Sequence, residues 1–340
     1  ITTPFTFTTL CSKKMMTVKP PEFTESESIT LPQPSWAENL LRYQPSLLDH
    51  LHELLDGVAA YLPRVVAEAL LDRPTTAILT QALEGTAMFA DIDGFTAMSE
   101  RFSQQASREG AEELTELVNR FLDILITTTQ RYGGDLQKFG GDAGMLFFTG
   151  EAHALHAIGA ALDVQRAMKA QLGQVETSLG CFPLEIAIGL GSGRLVGAGL
   201  GTESGREWVL SGPPLKAMGR AQQAAPTGGV VMDAETYALC SDVAVCEALP
   251  DSLYLVQALE TAPEPHAPPP LVVLPATDPT DQLLWLLSRL NALTPYLPEE
   301  LLARLTSAPD LEQMHLWSEH RRVTILMLSL SALPDYSIFG

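Results

Sequence analysis

The sequence predicts an α+β fold, in which a mixed β-sheet is flanked by helices. Residues 86–92 form an apolar run that ends at an acidic, glycine-containing turn, and residues 184–190 show the alternation of a half-buried strand. Residues 111–132 and 152–172 instead repeat their apolar side chains at helical spacing. Strands and helices mixed along one chain bury their apolar faces by packing in layers, which predicts one α+β domain over residues 80–260.

The composition is that of a globular protein with a large acidic excess. The 340 residues are 46% hydrophobic and carry a formal net charge of -20. Such a charge argues against nucleic-acid and anionic-membrane partners, which bind basic surfaces, and no apolar run reaches the roughly 18 residues of a membrane span. The cysteines lack the spacing of a metal site, which predicts reduced thiols and a cytoplasmic protein. They are Cys11, Cys181, Cys240 and Cys246.

Two segments precede the α+β domain. Residues 1–34 are rich in Thr, Ser and Pro and are predicted to be disordered. The chain begins with Ile, so we expect either a fragment or a true start at Met15 or Met16. Residues 35–75 form a helical lead-in, because their leucines recur at spacings of three, four and seven.

The segments after the domain repeat this order. A Pro-rich linker at 261–280 leads to a second helical segment at 281–320. The pattern of Tyr61–Leu70 recurs there as Tyr296–Leu305. An apolar run then follows within 321–340, and we interpret it as the truncated first strand of a second domain like the first.

The elements of the domain follow in order from their local patterns. They are a strand at 86–92, a helix at 111–132, a hairpin at 134–148, a helix at 152–172, a strand at 184–190, a turn at 191–193 leading into 194–198, a strand at 207–211, a helix at 213–223 and a strand at 230–232. The helix at 213 begins with proline, a residue favoured in the first helical turn.

Two acidic motifs carry the candidate chemistry. Asp91 ends the first strand and precedes Ile92-Asp93-Gly94-Phe95-Thr96. Asp142 follows Gly140-Gly141 at the tip of the predicted hairpin, four residues after Lys138. Two carboxylates on rigid strands, beside a turn with accessible backbone amides, suit two Mg²⁺ or Mn²⁺ ions that hold a triphosphate.

Two other acidic motifs fit the sequence less well. Hydrolases of the haloacid dehalogenase type also carry Asp-x-Asp-Gly after a strand, but their Thr follows the Gly directly, whereas Phe95 intervenes here. An EF-hand calcium loop needs a closing Glu, which this segment lacks.

The ordered motifs resemble the catalytic domain of class III nucleotidyl cyclases, most closely the first catalytic half of soluble, bicarbonate-responsive adenylyl cyclases. The resemblance runs from about Gly85 to Leu259 and rests on Phe89–Thr96 and Lys138–Asp142. It implies a ferredoxin-like cyclase domain. It also implies conversion of ATP to cyclic AMP and pyrophosphate in intracellular signalling, at an interface between two cyclase domains.

The resemblance assigns a role to each motif residue. Asp91 and Asp142 would be the catalytic carboxylates and, with Ile92, would bind the two metal ions. Lys138 matches a lysine that contacts the purine in catalytic halves, or a small anion in regulatory halves. The phosphate-binding residues would be Asp93, Gly94, Phe95 and Thr96.

One substrate-binding element departs from the family pattern. The family has an Asn followed four residues later by an Arg, whereas this chain has Lys216 and Arg220. Val209 occupies the purine-reading position, and its side chain cannot form hydrogen bonds. We therefore expect a second cyclase-like domain, in the same chain or in a homodimer partner, to complete the active site.

These motifs favour an adenylate cyclase, with GTP as the alternative substrate and little activity from the 340 residues alone. The rival interpretation is a non-catalytic cyclase-like module that senses a nucleotide or an anion and controls a downstream domain. Lys138 and Arg220 are expected to face a twin site without metal carboxylates, and bicarbonate or another small anion is the expected ligand there.

Overall fold

The structure is a computed structural model that describes residues 34–104, 108–140, 142–202, 205–265 and 268–307. The strands are β1 (Thr80–Asp93), β2 (Asp135–Gly140), β3 (Ala143–Thr149), β4 (Val175–Thr177), β5 (Gly180–Phe182), β6 (Glu185–Thr202), β7 (Gly205–Ser211), β8 (Val230–Met232), β9 (Ala244–Leu249) and β10 (Leu253–Leu259). The helices are α1 (Pro34–Tyr43), α2 (Leu47–Ala60), α3 (Arg64–Asp72), α4 (Phe95–Gln104), α5 (Arg108–Gln130), α6 (His153–Gln171), α7 (Pro213–Ala224), α8 (Ala234–Ala238), α9 (Pro279–Leu293) and α10 (Glu299–Ser307).

The main sheet has the order β2-β3-β1-β6-β8-β10-β9, and β7 pairs with residues Val196–Thr202 at the C-terminal end of β6. β1 pairs antiparallel with both β3 and β6, whereas β6 and β8 run parallel. The predicted α+β class, a mixed sheet with flanking helices, is confirmed. The hairpin predicted at 134–148 is also confirmed as β2 and β3, with Asp142 at its tip.

β1 is covered on both faces, which explains its long apolar run. On one face, Met88 packs with Phe121 of α5 and Phe148 of β3 in the largest hydrophobic cluster. On the other face, Ala87 packs with Met218 of α7 in a smaller cluster. Burial of both faces fixes the register of β1 and therefore the place where its acidic end emerges.

The turn predicted at residues 191–193 is wrong, because β6 continues through it. Gly191 pairs with Ala87 and Gly193 with Gly85, so β1 holds β6 straight across the glycines. The glycines serve close packing instead: a Cβ at Gly191 would lie 2.4 Å from the carbonyl oxygen of Pro214 in α7. Gly193 also has a φ of +138°, which favours glycine.

The helical segments on either side of the sheet domain share one core, which we call the helical core. Leu55 and Val58 of α2, Leu70 of α3 and Leu286 of α9 are fully buried together there. Trp208 of β7 belongs to the same cluster, so the helical core is continuous with the sheet domain. None of the helices in the described part of the chain is long and apolar enough to cross a membrane.

The two copies of the sequence repeat form the same local structure. In each, the carbonyl of the proline, Pro63 or Pro298, accepts amides of a following helix, α3 or α10. The structure places both helices in the helical core. The segments predicted at 1–34 and 321–340, including the start of a second domain, lie outside the described residues apart from Pro34.

Candidate metal and nucleotide site

The first acidic motif lies where β1 passes into α4. β1 ends at Asp93, Gly94 follows with a φ of +76°, and α4 begins at Phe95. A positive φ favours glycine at this turn. The amide of Met98 donates to the Gly94 carbonyl oxygen at 3.1 Å, which starts the helix. The first amides of a helix lack intrahelical partners and favour anions, so this turn can bind phosphate.

The second motif lies beside the first. Asp91 pairs with Ala143 in the antiparallel ladder between β1 and β3. The amide of Ile92 donates to the carbonyl oxygen of Asp142 at 3.2 Å. This bond fixes the tip of the β2-β3 hairpin against the end of β1, so Asp142, in the turn before β3, lies beside the strand that carries Asp91.

The electrostatics of this corner are those of crowded carboxylates. Burial raises the pKa of Asp91 above its ordinary value, and the negative charges of Asp142 and Asp93 raise it further, while the amide of Ile92 acts in the opposite direction. The Oδ2 atom of Asp93 is enclosed and has no hydrogen-bond partner among the residues that the structure describes. Like charges held this close favour a cation or a proton between them.

The donor set fits a metal that is shared with a substrate. Among the described residues, no three His, Cys, Asp or Glu side chains form a cluster that could hold a metal by themselves. Mg²⁺ in phosphoryl-transfer sites is usually bound by one or two carboxylates together with substrate phosphates. Asp91 and Asp142 provide such an open pair, beside the Gly94 turn.

Lys138 lies on β2 and forms an ion pair with Glu207 of β7. Both side chains are largely exposed, at 62% and 65%, so solvent screens the pair and its contribution to stability is small. Glu207 was not predicted as a site residue. The sequence could have indicated it, because Glu207 lies two residues before Val209 and alternate residues of a strand share one face.

Lys216 and Arg220 lie one turn apart on α7, and both are exposed. Met218 and Ala221 on the same helix are buried against the sheet. α7 comes unusually close to β6, since a Cβ at Gly189 would lie 2.3 Å from the Met218 carbonyl oxygen. This contact fixes the helix and leaves its two cations in solvent.

Val209 lies on the exposed side of the β6-β7 hairpin, which we call the arm, and 37% of it is accessible. The opposite side of the arm is clamped by the helical core. A Cβ at Gly197 would lie 2.1 Å from the Trp208 ring, and a Cβ at Gly199 would lie 2.3 Å from the Tyr296 hydroxyl. The position of Val209 therefore depends on helices outside the sheet domain.

A family model for the adenylate and guanylate cyclase catalytic domain matches residues 80–251. The chain belongs to this family. The match runs from the start of β1 to the turn between β9 and β10, and it confirms both the predicted resemblance to class III cyclases and the cyclase fold.

Individual proteins are similar to parts of the chain. Adenylate cyclase type 10 of Rattus norvegicus is 28% identical over 203 residues, which are 57% of this chain and 12% of that protein, and the Homo sapiens protein gives the same figures. A solved structure of a bacterial light-regulated adenylyl cyclase has a TM-score of 0.51 and 21% identity, covering 74% of this chain and 70% of that one. The chain spans about an eighth of the length of these curated relatives.

Proposed function

We propose that this cyclase domain is the metal-binding half of an adenylate cyclase that converts ATP to cyclic AMP and pyrophosphate. The observation that carries the proposal is that Asp142 lies beside Asp91 at the end of β1, where burial and the negative charge of Asp142 raise the pKa of Asp91. Burying like charges together is unfavourable unless a ligand offsets them. A metal-bound triphosphate at the Gly94 turn would do so.

The side chains and amides of this chain have separable tasks in that reaction. Asp91 and Asp142, with the Ile92 carbonyl, would hold two Mg²⁺ or Mn²⁺ ions; the amides of Asp93–Thr96 would orient the phosphates for in-line attack by the ribose 3′ hydroxyl. When bound, the ions would lower the pKa of that hydroxyl and neutralise developing charge.

A second cyclase-like domain is needed for the base and the transition state. Val209 has no group with which to read a purine, and Lys216 stands where the family has an Asn. We infer that a second domain of the same protein, or a homodimer partner, supplies these contacts. ATP is the proposed substrate because two relatives that are 28% identical to this chain over 203 residues are named adenylate cyclases.

Metal-dependent nucleotide binding tests the carboxylate assignment. Asp91→Asn and Asp142→Asn should each weaken binding of ATP in the presence of Mn²⁺ by tenfold or more, because each removes a ligand charge. Asp123→Asn is the matched control: it makes the same charge change at an exposed position of α5 and should leave affinity unchanged. Equal affinities for all four proteins would refute the assignment.

We further propose that Lys138 and Arg220 bind bicarbonate or another small anion as a regulator. Because Glu207 forms an ion pair with Lys138, its carboxylate competes with the anion for Lys138. Bicarbonate should raise the melting temperature of the wild-type protein, more strongly in Glu207→Gln and not in Lys138→Ala. Lys169→Ala, an exposed lysine of α6, is the control; loss of the response in this variant as well would refute a specific site.

A further inference from the structure

Asp135, at the start of β2, caps a helix that lies far away in the sequence. Its Oδ2 atom accepts hydrogen bonds from the backbone amide of Arg64 at 2.6 Å and from Nε2 of Gln137 at 2.7 Å. Arg64 is the first residue of α3, and the preceding residue, Pro63, provides no side-chain cap. The acceptor that helix N-termini usually obtain from the neighbouring residue therefore comes from the β2-β3 hairpin.

Arg64 is also the point where three segments of the chain meet. Its guanidinium donates to Glu68 Oε1 at 2.6 Å within α3, and to the carbonyl oxygen of Pro269 at 2.8 Å in the segment that follows the sheet domain. The buried residues Val66 and Leu70 of α3 pack into the helical core. Asp135 thus attaches β2 to the helical core.

The attachment bears on the positions of Asp91 and Asp142 because β2 lies at the edge of the sheet. In the described sheet, β2 is a terminal strand and pairs only with β3. Its register with β3 shifts between Leu136 and Lys138, which marks a bulge. A short strand held on one edge depends on its other contacts for its position, and this strand leads directly to the tip that carries Asp142.

We propose that Asp135 is a positioning residue: by accepting the Arg64 amide it ties the hairpin to the helical core and thereby sets the position of Asp142 relative to Asp91. The packing of α3 and α9 then influences metal binding at a distance. This inference rests on the proposed function, because Asp142 bears on catalysis only if it holds metal.

Paired substitutions isolate the hydrogen bond from other effects. Arg64→Pro removes the amide donor at a helix position that favours proline, whereas Arg64→Ala keeps the amide and removes only the guanidinium. Asp135→Ala removes the acceptor, whereas Asp135→Asn keeps an oxygen that can accept the bond. The inference predicts that Arg64→Pro and Asp135→Ala show the same changes in hydrogen exchange and Mn²⁺ affinity. Arg64→Ala and Asp135→Asn should resemble the wild type in both measurements.

Two readouts test this prediction on the whole chain. Hydrogen exchange at the Ile92 amide, which bonds to Asp142, should accelerate about tenfold in Arg64→Pro and Asp135→Ala, while β10 remains protected as before. Mn²⁺ affinity should fall about tenfold in the same two variants, as for other residues that orient metal ligands. Combining the two substitutions should add little further loss.

The outcomes separate this inference from the proposed function. If exchange rises uniformly in α3, β2 and β10, or if Arg64→Ala is as impaired as Arg64→Pro, then Asp135 only stabilises the fold and the inference is overturned. If Ile92 exchange responds as predicted but the wild-type protein binds no Mn²⁺, the metal assignment fails while the attachment of the hairpin stands.

Discussion

Substitution of Gly197 by alanine tests whether the helical core clamps the arm. A Cβ at this position would lie 2.1 Å from Cζ2 and 2.5 Å from Cη2 of Trp208, whereas carbon atoms in contact are normally about 3.5 to 4.0 Å apart. Trp208 is 9% exposed and packs among buried residues of the helical core. The ring therefore cannot move away without displacing its neighbours.

The expected cost is that of overpacking a filled core, about 1 to 3 kcal/mol in the free energy of unfolding. Unfolding entropy is about 2.1 cal/mol/K per residue, so for this chain each kcal/mol corresponds to about 1 to 2 °C, and the melting temperature should fall by about 1 to 6 °C. Differential scanning calorimetry on Gly197→Ala and the wild type measures this difference directly.

Gly205→Ala is the control within the same arm. A Cβ there meets nothing within 4 Å and φ is not positive. The free energy of unfolding of Gly205→Ala should therefore differ from that of the wild type by no more than about 0.5 kcal/mol. Trp208→Leu should reduce the cost of Gly197→Ala, with a coupling energy of about 1 kcal/mol or more. Equal, small effects of both alanine substitutions would refute the clamp.

Two further predictions concern buried polar groups. Burial raises the pKa of Asp135 to about 7 from an ordinary value of 3.8, so the wild-type protein loses stability as pH rises between about 4 and 7. Each pH unit in that range corresponds to about 1.4 kcal/mol, so urea unfolding should show Asp135→Asn gaining about 2 to 3 kcal/mol over the wild type between pH 5 and 8; a constant difference would contradict this. Thr86→Val should lower the free energy of unfolding by about 1 to 3 kcal/mol, because the buried Thr86 hydroxyl lies 2.7 Å from both His153 Nδ1 and Ser192 Oγ. Thr127→Val, at an exposed position, should lower it little. Equal losses in the two variants would show that the buried hydrogen bonds of Thr86 do not stabilise the fold.

Local patterns in the sequence were sufficient to predict the strands that lead to Asp91 and Asp142. The apolar run before Asp91 and the Gly-Gly-Asp turn before Asp142 each specify a strand and its end without reference to the rest of the chain. Family resemblance then linked the two motifs. The observed pairing of β1 with β3 brings them together.

Features that depend on distant contacts were not predictable in the same way. The glycines at 191–193 have the composition of a turn, and only the pairing of β6 with β1 and the approach of α7 show why they lie within a strand. Likewise, nothing near Asp135 indicates that it caps α3, and nothing near Lys138 indicates an ion pair with Glu207. Such contacts depend on tertiary packing, which periodicity does not encode.

The most direct test of the account is product formation in the presence of a second cyclase domain, supplied by a longer product of the same gene or as a separate chain. With Mn²⁺ and ATP, the account predicts cyclic AMP from the wild-type protein and none from Asp91→Ala or Asp142→Ala, with Asp123→Ala as active as the wild type. Parallel reactions with GTP test the alternative substrate. If ATP binds with metal but no cyclic nucleotide forms in any reaction, the adenylate cyclase assignment is contradicted and the domain is a nucleotide-sensing module.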